Sequence, residues 1–178
     1  MMKYSVTALP LLSLLLLLAS CGAFKPADST SRNGRTTRPA RTTAPEGDAT
    51  SWIRTDITQH AQELLGIPYK FGGNKPKEGF DCSGLTRYLY QGAGLDLSRV
   101  SRDQAKQGKP VNFADARPGD LVFYKRPGGS VFHVSVVVLS KPGELWVIHA
   151  TSSRGVMREN ILASSYWKPK IYQVRNVL

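Results

Sequence analysis

The large apolar side chains of this chain fall into two groups separated by a gap, and the gap decides what can fold. One dense block runs through Leu9 and Leu11 to Leu18, and the rest are spread from Trp52 onward. Between Cys21 and Trp52, Phe24 is the one large apolar residue; residues 22–50 are rich in Ser, Thr, Pro, Ala, Gly and Arg. Such a stretch cannot bury enough surface to offset the entropy of ordering. It reads as a disordered linker over residues 21–50, with a folded domain expected over 51–178. As a flexible coil, 29 residues would average about 30 Å end to end and extend to about 100 Å.

The first block follows Lys3 and is too short for a membrane span of about 20 apolar residues. It fits the apolar core of a secretory signal peptide over residues 1–20. The segment ends Leu18-Ala19-Ser20-Cys21, which resembles the bacterial lipobox. That resemblance implies lipidation of Cys21 and a cut just before it, giving a membrane partner held by acyl chains. The alternatives are a plain signal peptide with a chance cysteine, or an uncleaved anchor. Gly22, where an Asp would resemble an inner-membrane retention mark, directs the expectation to the periplasmic, inner face of the outer membrane.

The formal net charge is +11, and residues 51–178 carry eighteen basic and ten acidic side chains, a net of +8. A basic surface favours anionic partners, whether lipid headgroups or a polyanionic wall; ordinary solubility charge is the bland alternative. Nucleic acid is disfavoured by the export signal and by the lack of a basic run interleaved with aromatics.

Within the domain, Ile53, Ile57, Ala61, Leu64 and Leu65 share one helical face, with Gly66 as the stop. A second helix is expected to start at Asp81-Cys82-Ser83, carry Leu85, Tyr88 and Leu89 inward, and end near Gly92 or Gly94. Ser101 with Gln104 reads as a capping box for a short third helix. After Pro118-Gly119 the period becomes that of strands, at about 120–124, 131–139, 145–150, 156–158 and 170–177. Helices followed by a meander of strands indicate an α+β domain with an antiparallel sheet.

With Cys21 lipidated, Cys82 would be the remaining thiol, without a disulfide partner in an oxidising compartment. A helix N-terminus favours the thiolate and can stabilise an oxyanion, while Gly84 would let a substrate approach and Asp81 would cap the helix. A buried structural cysteine is the alternative. His133 lies in the apolar strand Phe132–Val138, where alternation puts His133, Ser135 and Val137 on one face. An unpaired buried imidazole there would cost about 1–3 kcal/mol, so it needs a partner. His149 ends the next strand, and antiparallel pairing would bring the imidazoles together as thiol, base and orienting group. His60 reads as a surface residue. The chain lacks the Cys-x-x-Cys or His-x-x-x-His spacing of a zinc site and any phosphate-binding glycine motif, so neither metal nor cofactor is expected.

At these residues the chain resembles the NlpC/p60 family of cell-wall cysteine peptidases, its Spr-like murein endopeptidases above all. The matching segments are Tyr69-Lys70-Phe71-Gly72-Gly73, Gly79-Phe80-Asp81-Cys82-Ser83-Gly84-Leu85, Arg99 with Gln104, Arg117-Pro118-Gly119-Asp120-Leu121-Val122-Phe123, His133-Val134, His149-Ala150 with Ser153 and Gly155, and Tyr166-Trp167. The resemblance implies a papain-like α+β fold with N-terminal helices on a central antiparallel sheet. It makes Cys82 the nucleophile, His133 the base and His149 the group that orients it. Tyr69 would help hold the oxyanion or substrate, and Asp81 and Ser83 would build the substrate cleft. Two departures are Ser135, where a glycine is usual and a side chain would narrow the site floor, and Ser98, where a proline often stands.

The implied activity is hydrolysis of peptidoglycan peptides, at the D-alanyl–diaminopimelate cross-link or next at the γ-D-glutamyl–diaminopimelate bond. Regulatory envelope proteins are left unspecified. The competing readings are a catalytically idle wall- or partner-binding lipoprotein of the same fold, and a lipid acyltransferase or phospholipase. In the enzyme reading, Cys82 is expected to have a lowered pKa and His133 a raised one, as an ion pair. Replacing Cys21 with Ser is expected to release the protein from the membrane fraction or leave the precursor uncut; a processed Cys21→Ser protein that stays with the membranes would defeat the lipid anchor.

Overall fold

The structure is a computed structural model that describes residues 46–178; the expected signal peptide, Cys21 and the expected linker through residue 45 lie outside the described residues. The first helix, α1 (Glu46–Glu63), begins before the expected Ile53, so residues 46–50, which composition places with the linker, are helical. Ile57 and Ala61 are fully buried and Leu64 nearly so, whereas Leu65 is exposed because the helix ends at Glu63 and the chain turns away. His60 is exposed and lies 3.6 Å from Asp56.

Next come a two-stranded ribbon, β1 (Asn74–Lys75) with β2 (Gly79–Phe80), and then α2 (Cys82–Gly92). Leu85, Leu89 and Tyr90 form the buried stripe of α2, while Tyr88 is partly exposed. The inward aromatic is thus Tyr90, whose hydroxyl donates to the Gly119 carbonyl. The short α3 (Ser101–Gln104) does form, but not with the expected capping box. Val100 occupies the cap position, and the Gln104 amide instead donates to Ser83 O (3.0 Å) and Ser98 O (2.7 Å). Gln104 thereby ties α2 to the loop that follows it.

The remaining strands are β3 (Lys109–Val111), β4 (Leu121–Lys125), β5 (Val131–Lys141), β6 (Glu144–Thr151), β7 (Gly155–Asn160) and β8 (Ile171–Asn176). They form one antiparallel sheet in the order β3-β8-β4-β5-β6-β7. Strands β4 to β7 are the expected meander, but β8 crosses back to pair with β4 and takes β3 as its outer neighbour.

The sheet is covered on both faces, so β4 reads as a continuous apolar run rather than as an alternation. Leu121 and Phe123 pack toward the helices with Ile57, Leu85, Leu89, Val134, Val136 and Ile148. Val122 and Tyr124 pack on the other face with Val137, Leu145, Val147, Ile161 and Trp167. Each such side chain contributes about 1.5–3 kcal/mol when fully buried.

Across this interface Arg54 of α1 donates to Pro118 O (2.6 Å) and Asp120 (2.9 Å), tying the first helix to the turn before β4. Closer to the site, Gly84 is buried, and a Cβ there would overlap the Gly73 carbonyl. Its smallness lets α2 seat on the Gly72-Gly73 loop rather than opening a path for substrate, which corrects the sequence expectation. Gly84→Ala is expected to cost about 1–3 kcal/mol through overpacking, read as a lower denaturation midpoint. Gly92→Ala, into open space, is expected to leave the midpoint equal or higher.

Candidate active site

The site is organised around the start of α2. Asp81 takes an extended backbone and caps the helix by accepting from Gly84 N (2.7 Å), as its residue type favours. Its other oxygen accepts from Gly72 N (3.0 Å). Arg99 grips both carboxylate oxygens at 2.9 and 2.6 Å and reaches Ser83 Oγ at 3.1 Å. A sequence reading could place Arg99 in a motif but not on Asp81, because the contact spans a loop. Ser98 beside it uses a bond that a proline would lack: its N–H donates to Gln107 Oε1 at 2.8 Å.

This knot fixes Cys82, the first helical residue, at the junction of two hollows of about 400 Å³ and 410 Å³. Tyr69 borders both. The first hollow includes His133, Arg126, Arg154 and Glu159; the second is lined by Asp81, Ser83 and Arg99 among others. Larger hollows of about 660 and 720 Å³ lie elsewhere and lack a thiol and an imidazole. Among the described residues, the Tyr69 hydroxyl has no hydrogen-bond partner in the protein, and burial beside Cys82 and Asp81 raises its pKa.

The strands bring the histidines together as expected. His133 Nε2 and His149 Nδ1 are 3.0 Å apart, with both side chains buried. The His133 ring is further held by Trp167, stacked at 4.4 Å and 24°, and by Tyr124 at 5.3 Å. Ser135 does not narrow the site floor. It is fully buried in the sheet and shares a 2.8 Å hydrogen bond with Tyr124. Beyond His149 stands Glu159, 3.4 Å from Nε2 yet out of hydrogen-bond alignment, so that Nε2 is a buried nitrogen without a bonded partner. Nothing in the sequence singles out Glu159, a charged residue near the end of a strand.

The electrostatics reverse the sequence expectation of an ion pair. Burial pushes the Cys82 thiol up to about 11, and the Asp81 carboxylate adds to this. Backbone hydrogen bonds at Val134, Ser83 and Cys82 pull the other way and are outweighed. The helix end that was expected to favour a thiolate already holds a carboxylate, its own cap. Burial also lowers the pKa of His133, with His149 acting in the same sense. His149 is lowered chiefly by burial, against an opposing pull from Glu159. These shifts all favour the neutral forms of the thiol and the two imidazoles at rest. With Nε2 engaged by His149, Nδ1 is the nitrogen of His133 left uncommitted on the side of the cleft it shares with Cys82.

The model of the NlpC/P60 family matches residues 66–176. The chain is 38% identical over 135 residues to the gamma-DL-glutamyl hydrolase of Bacillus subtilis (strain 168), covering 74% of this chain and 31% of that protein. It is 28% identical over 185 aligned positions to the murein DD-endopeptidase MepS/murein LD-carboxypeptidase of Escherichia coli (strain K12), covering 99% of this chain and 95% of that protein. The crystal structure of an NlpC/P60 family protein from Bacillus cereus ATCC 10987 superposes with a TM-score of 0.64 at 29% identity, over 70% of this chain and 40% of that one. The chain thus spans about a third of the length of the glutamyl hydrolase it matches.

The pH dependence of Cys82 alkylation by iodoacetamide checks the neutral resting state. Because the folded thiol value lies above the ordinary 9.0, little thiolate exists near neutrality, and the rate is expected to climb with pH toward about 11. Protonation of His133, its value being below the ordinary 6.5, is expected to place the acid limb of activity below that pH. An alkylation plateau extending down to acidic pH would show a thiolate–imidazolium pair instead.

Proposed function

The chain belongs to the NlpC/P60 family, and from that premise we propose that it is a peptidoglycan endopeptidase working as a cysteine hydrolase. The observation that carries the reading is the convergence of a cleft-lining thiol, a histidine with one ring nitrogen uncommitted, and a second histidine 3.0 Å behind it. Cys82 is the nucleophile and His133 the base, with His149 as its positioning residue.

In the proposed reaction, the Cys82 proton passes to His133 Nδ1 as sulfur attacks the peptide carbonyl carbon. A neutral resting pair makes this transfer part of the attack rather than a preceding equilibrium. The Tyr69 hydroxyl and the amides of the first turn of α2 are the donors beside the developing oxyanion. His133 returns the proton to the leaving amine, and a thioester remains on Cys82. Water then attacks it, His133 taking a proton and passing it to sulfur, so that acid product and free enzyme are recovered. Every step uses protein groups and water.

The cleft suits a charged stem peptide. One side offers Asp81 and Ser83 under Arg99; the other carries the guanidinium groups of Arg126 and Arg154, which match substrate carboxylates. Arg126 lies over the Phe132 ring at 4.4 Å, a stacking that orders it in advance. The D-alanyl–diaminopimelate cross-link is the favoured bond, supported by the match along nearly the whole Escherichia coli murein endopeptidase. The γ-D-glutamyl–diaminopimelate bond is the second reading, favoured by the higher identity to the Bacillus glutamyl hydrolase across the domain. Export, lipidation at Cys21 and a place in the cell envelope at the outer membrane complete the proposal. The linker would give the domain its reach into the wall.

Digestion of purified sacculi, with the fragments identified by mass, tests the reading and names the bond. Cys82→Ala and His133→Ala are each expected to abolish fragment release while the domain stays folded. His149→Ala is expected to be milder, since an orienting group is partly replaceable. Fragment release at the unsubstituted rate by folded Cys82→Ala would sink the thiol mechanism. A folded, unsubstituted protein that binds sacculi but releases nothing would favour the idle-binder alternative.

A further inference from the structure

We propose that Glu159 is a positioning residue of this site: by accepting the Nε2 proton of His149, it fixes the tautomers of both histidines and makes His133 a base toward Cys82. The inference rests on the hydrolase reading of the same site. It starts from the buried His149 Nε2 that lacks a bonded partner, 3.4 Å from Glu159 Oε2.

A neutral imidazole has one N–H and one lone pair. The 3.0 Å contact between His133 Nε2 and His149 Nδ1 therefore holds one proton, and it can sit in two ways. In the first, His133 carries it on Nε2 and donates to His149 Nδ1. His133 Nδ1 is then a bare lone pair facing the cleft, able to take the thiol proton. His149 must then carry its own proton on Nε2, aimed at Glu159. In the second arrangement, His149 donates from Nδ1, and His133 carries its proton on Nδ1. That ring offers the thiol no lone pair, and His149 presents a bare nitrogen to a carboxylate oxygen in a buried setting. Glu159 selects between them, because a carboxylate attracts an N–H and repels a lone pair, most strongly away from water.

The sheet explains how Glu159 reaches this position. Strand β7 runs antiparallel to β6 with Val147 opposite Glu159 and His149 opposite Met157. Glu159 is thus the diagonal neighbour of His149 on the same face, within reach of a long side chain. Arg154 holds the same Glu159 oxygen at 3.4 Å from the solvent side, and its own side chain is 60% exposed. A small rotation of the carboxylate would turn the present 3.4 Å approach into an aligned hydrogen bond. When His133 takes the proton from sulfur, the positive charge that forms on the histidine pair also faces this carboxylate.

The test uses the full-length protein with 15N-labelled histidines, whose ring-nitrogen shifts report which nitrogen bears the proton; exposed His60 is an internal reference. In the unsubstituted protein both His133 and His149 are expected to be protonated at Nε2. Glu159→Gln keeps an oxygen acceptor and is expected to keep this tautomer with a modest loss of kcat. Glu159→Ala is expected to move His149, and with it His133, toward the Nδ1–H form, and to lower kcat about ten-fold or more with KM unchanged. Unaltered tautomers and kcat in folded Glu159→Ala would overturn the proposal, as would an Nδ1 proton on His133 in the unsubstituted protein. The tautomer readout needs no substrate. If the unsubstituted protein releases no wall fragments, the hydrolase reading fails while the tautomer result still decides the role of Glu159.

Discussion

One carboxylate sets the geometry on which the rest of the site depends. Asp81 accepts from the Gly84 and Gly72 amides and from both terminal nitrogens of Arg99. It closes the N-terminus of α2, ties the glycine loop to that helix, and clamps the strap that carries Arg99. Cys82 follows it directly, so the cap sets where the residue enters the cleft, and the Val134 backbone meets its sulfur from the sheet. The same carboxylate also sets the electrostatics, since a negative charge beside the thiol adds to the burial that holds it protonated. A helix end without its own acidic cap would present its partial positive charge to the sulfur; here that charge is already answered.

Such an arrangement moves the chemical burden from the thiol to the histidines. A thiol that rests protonated depends on a base with a lone pair in the right place when the substrate arrives. The His133 ring is fixed by stacking on Trp167 and by its contact with His149, and burial disfavours the charged form of both rings. A neutral, rigid pair of imidazoles makes an effective base only in one of its two proton arrangements. In the proposed mechanism, residues behind the pair, on β7, thereby gain influence over a reaction that takes place on the helix side of the cleft.

Much of this was legible in the sequence, for identifiable reasons. The second helix and the strands around His133 and His149 follow from periodicity, because each element buries an apolar stripe or run. The pairing of the two imidazoles follows from two neighbouring strands, each with a histidine. What stayed hidden depends on chain crossings that periodicity does not encode. The return of β8 to the edge of β4 is one example, and the reach of Arg99 to Asp81 is another. Gln104 has the spacing of a capping residue, yet it spends its amide on Ser83 and Ser98, since that loop lies within reach in the folded chain. Gly84 looked like an opening for substrate and is instead a close contact with a backbone carbonyl. The burial that raises the thiol's pKa is not legible locally, because a sequence shows a helix start but not how deeply the sulfur beside it is enclosed.

The central claim is that Cys82 becomes covalently acylated by the substrate during turnover. The most direct measurement is the intact mass of the protein, quenched in acid during digestion of a soluble cross-linked muropeptide, with the modified residue mapped by peptide fragmentation. The account predicts an adduct equal to the acyl half of the substrate, located on Cys82 and lost after turnover is complete. Hydrolysis that proceeds with Cys82 unmodified throughout, and continues undiminished after the thiol has been alkylated, would contradict it.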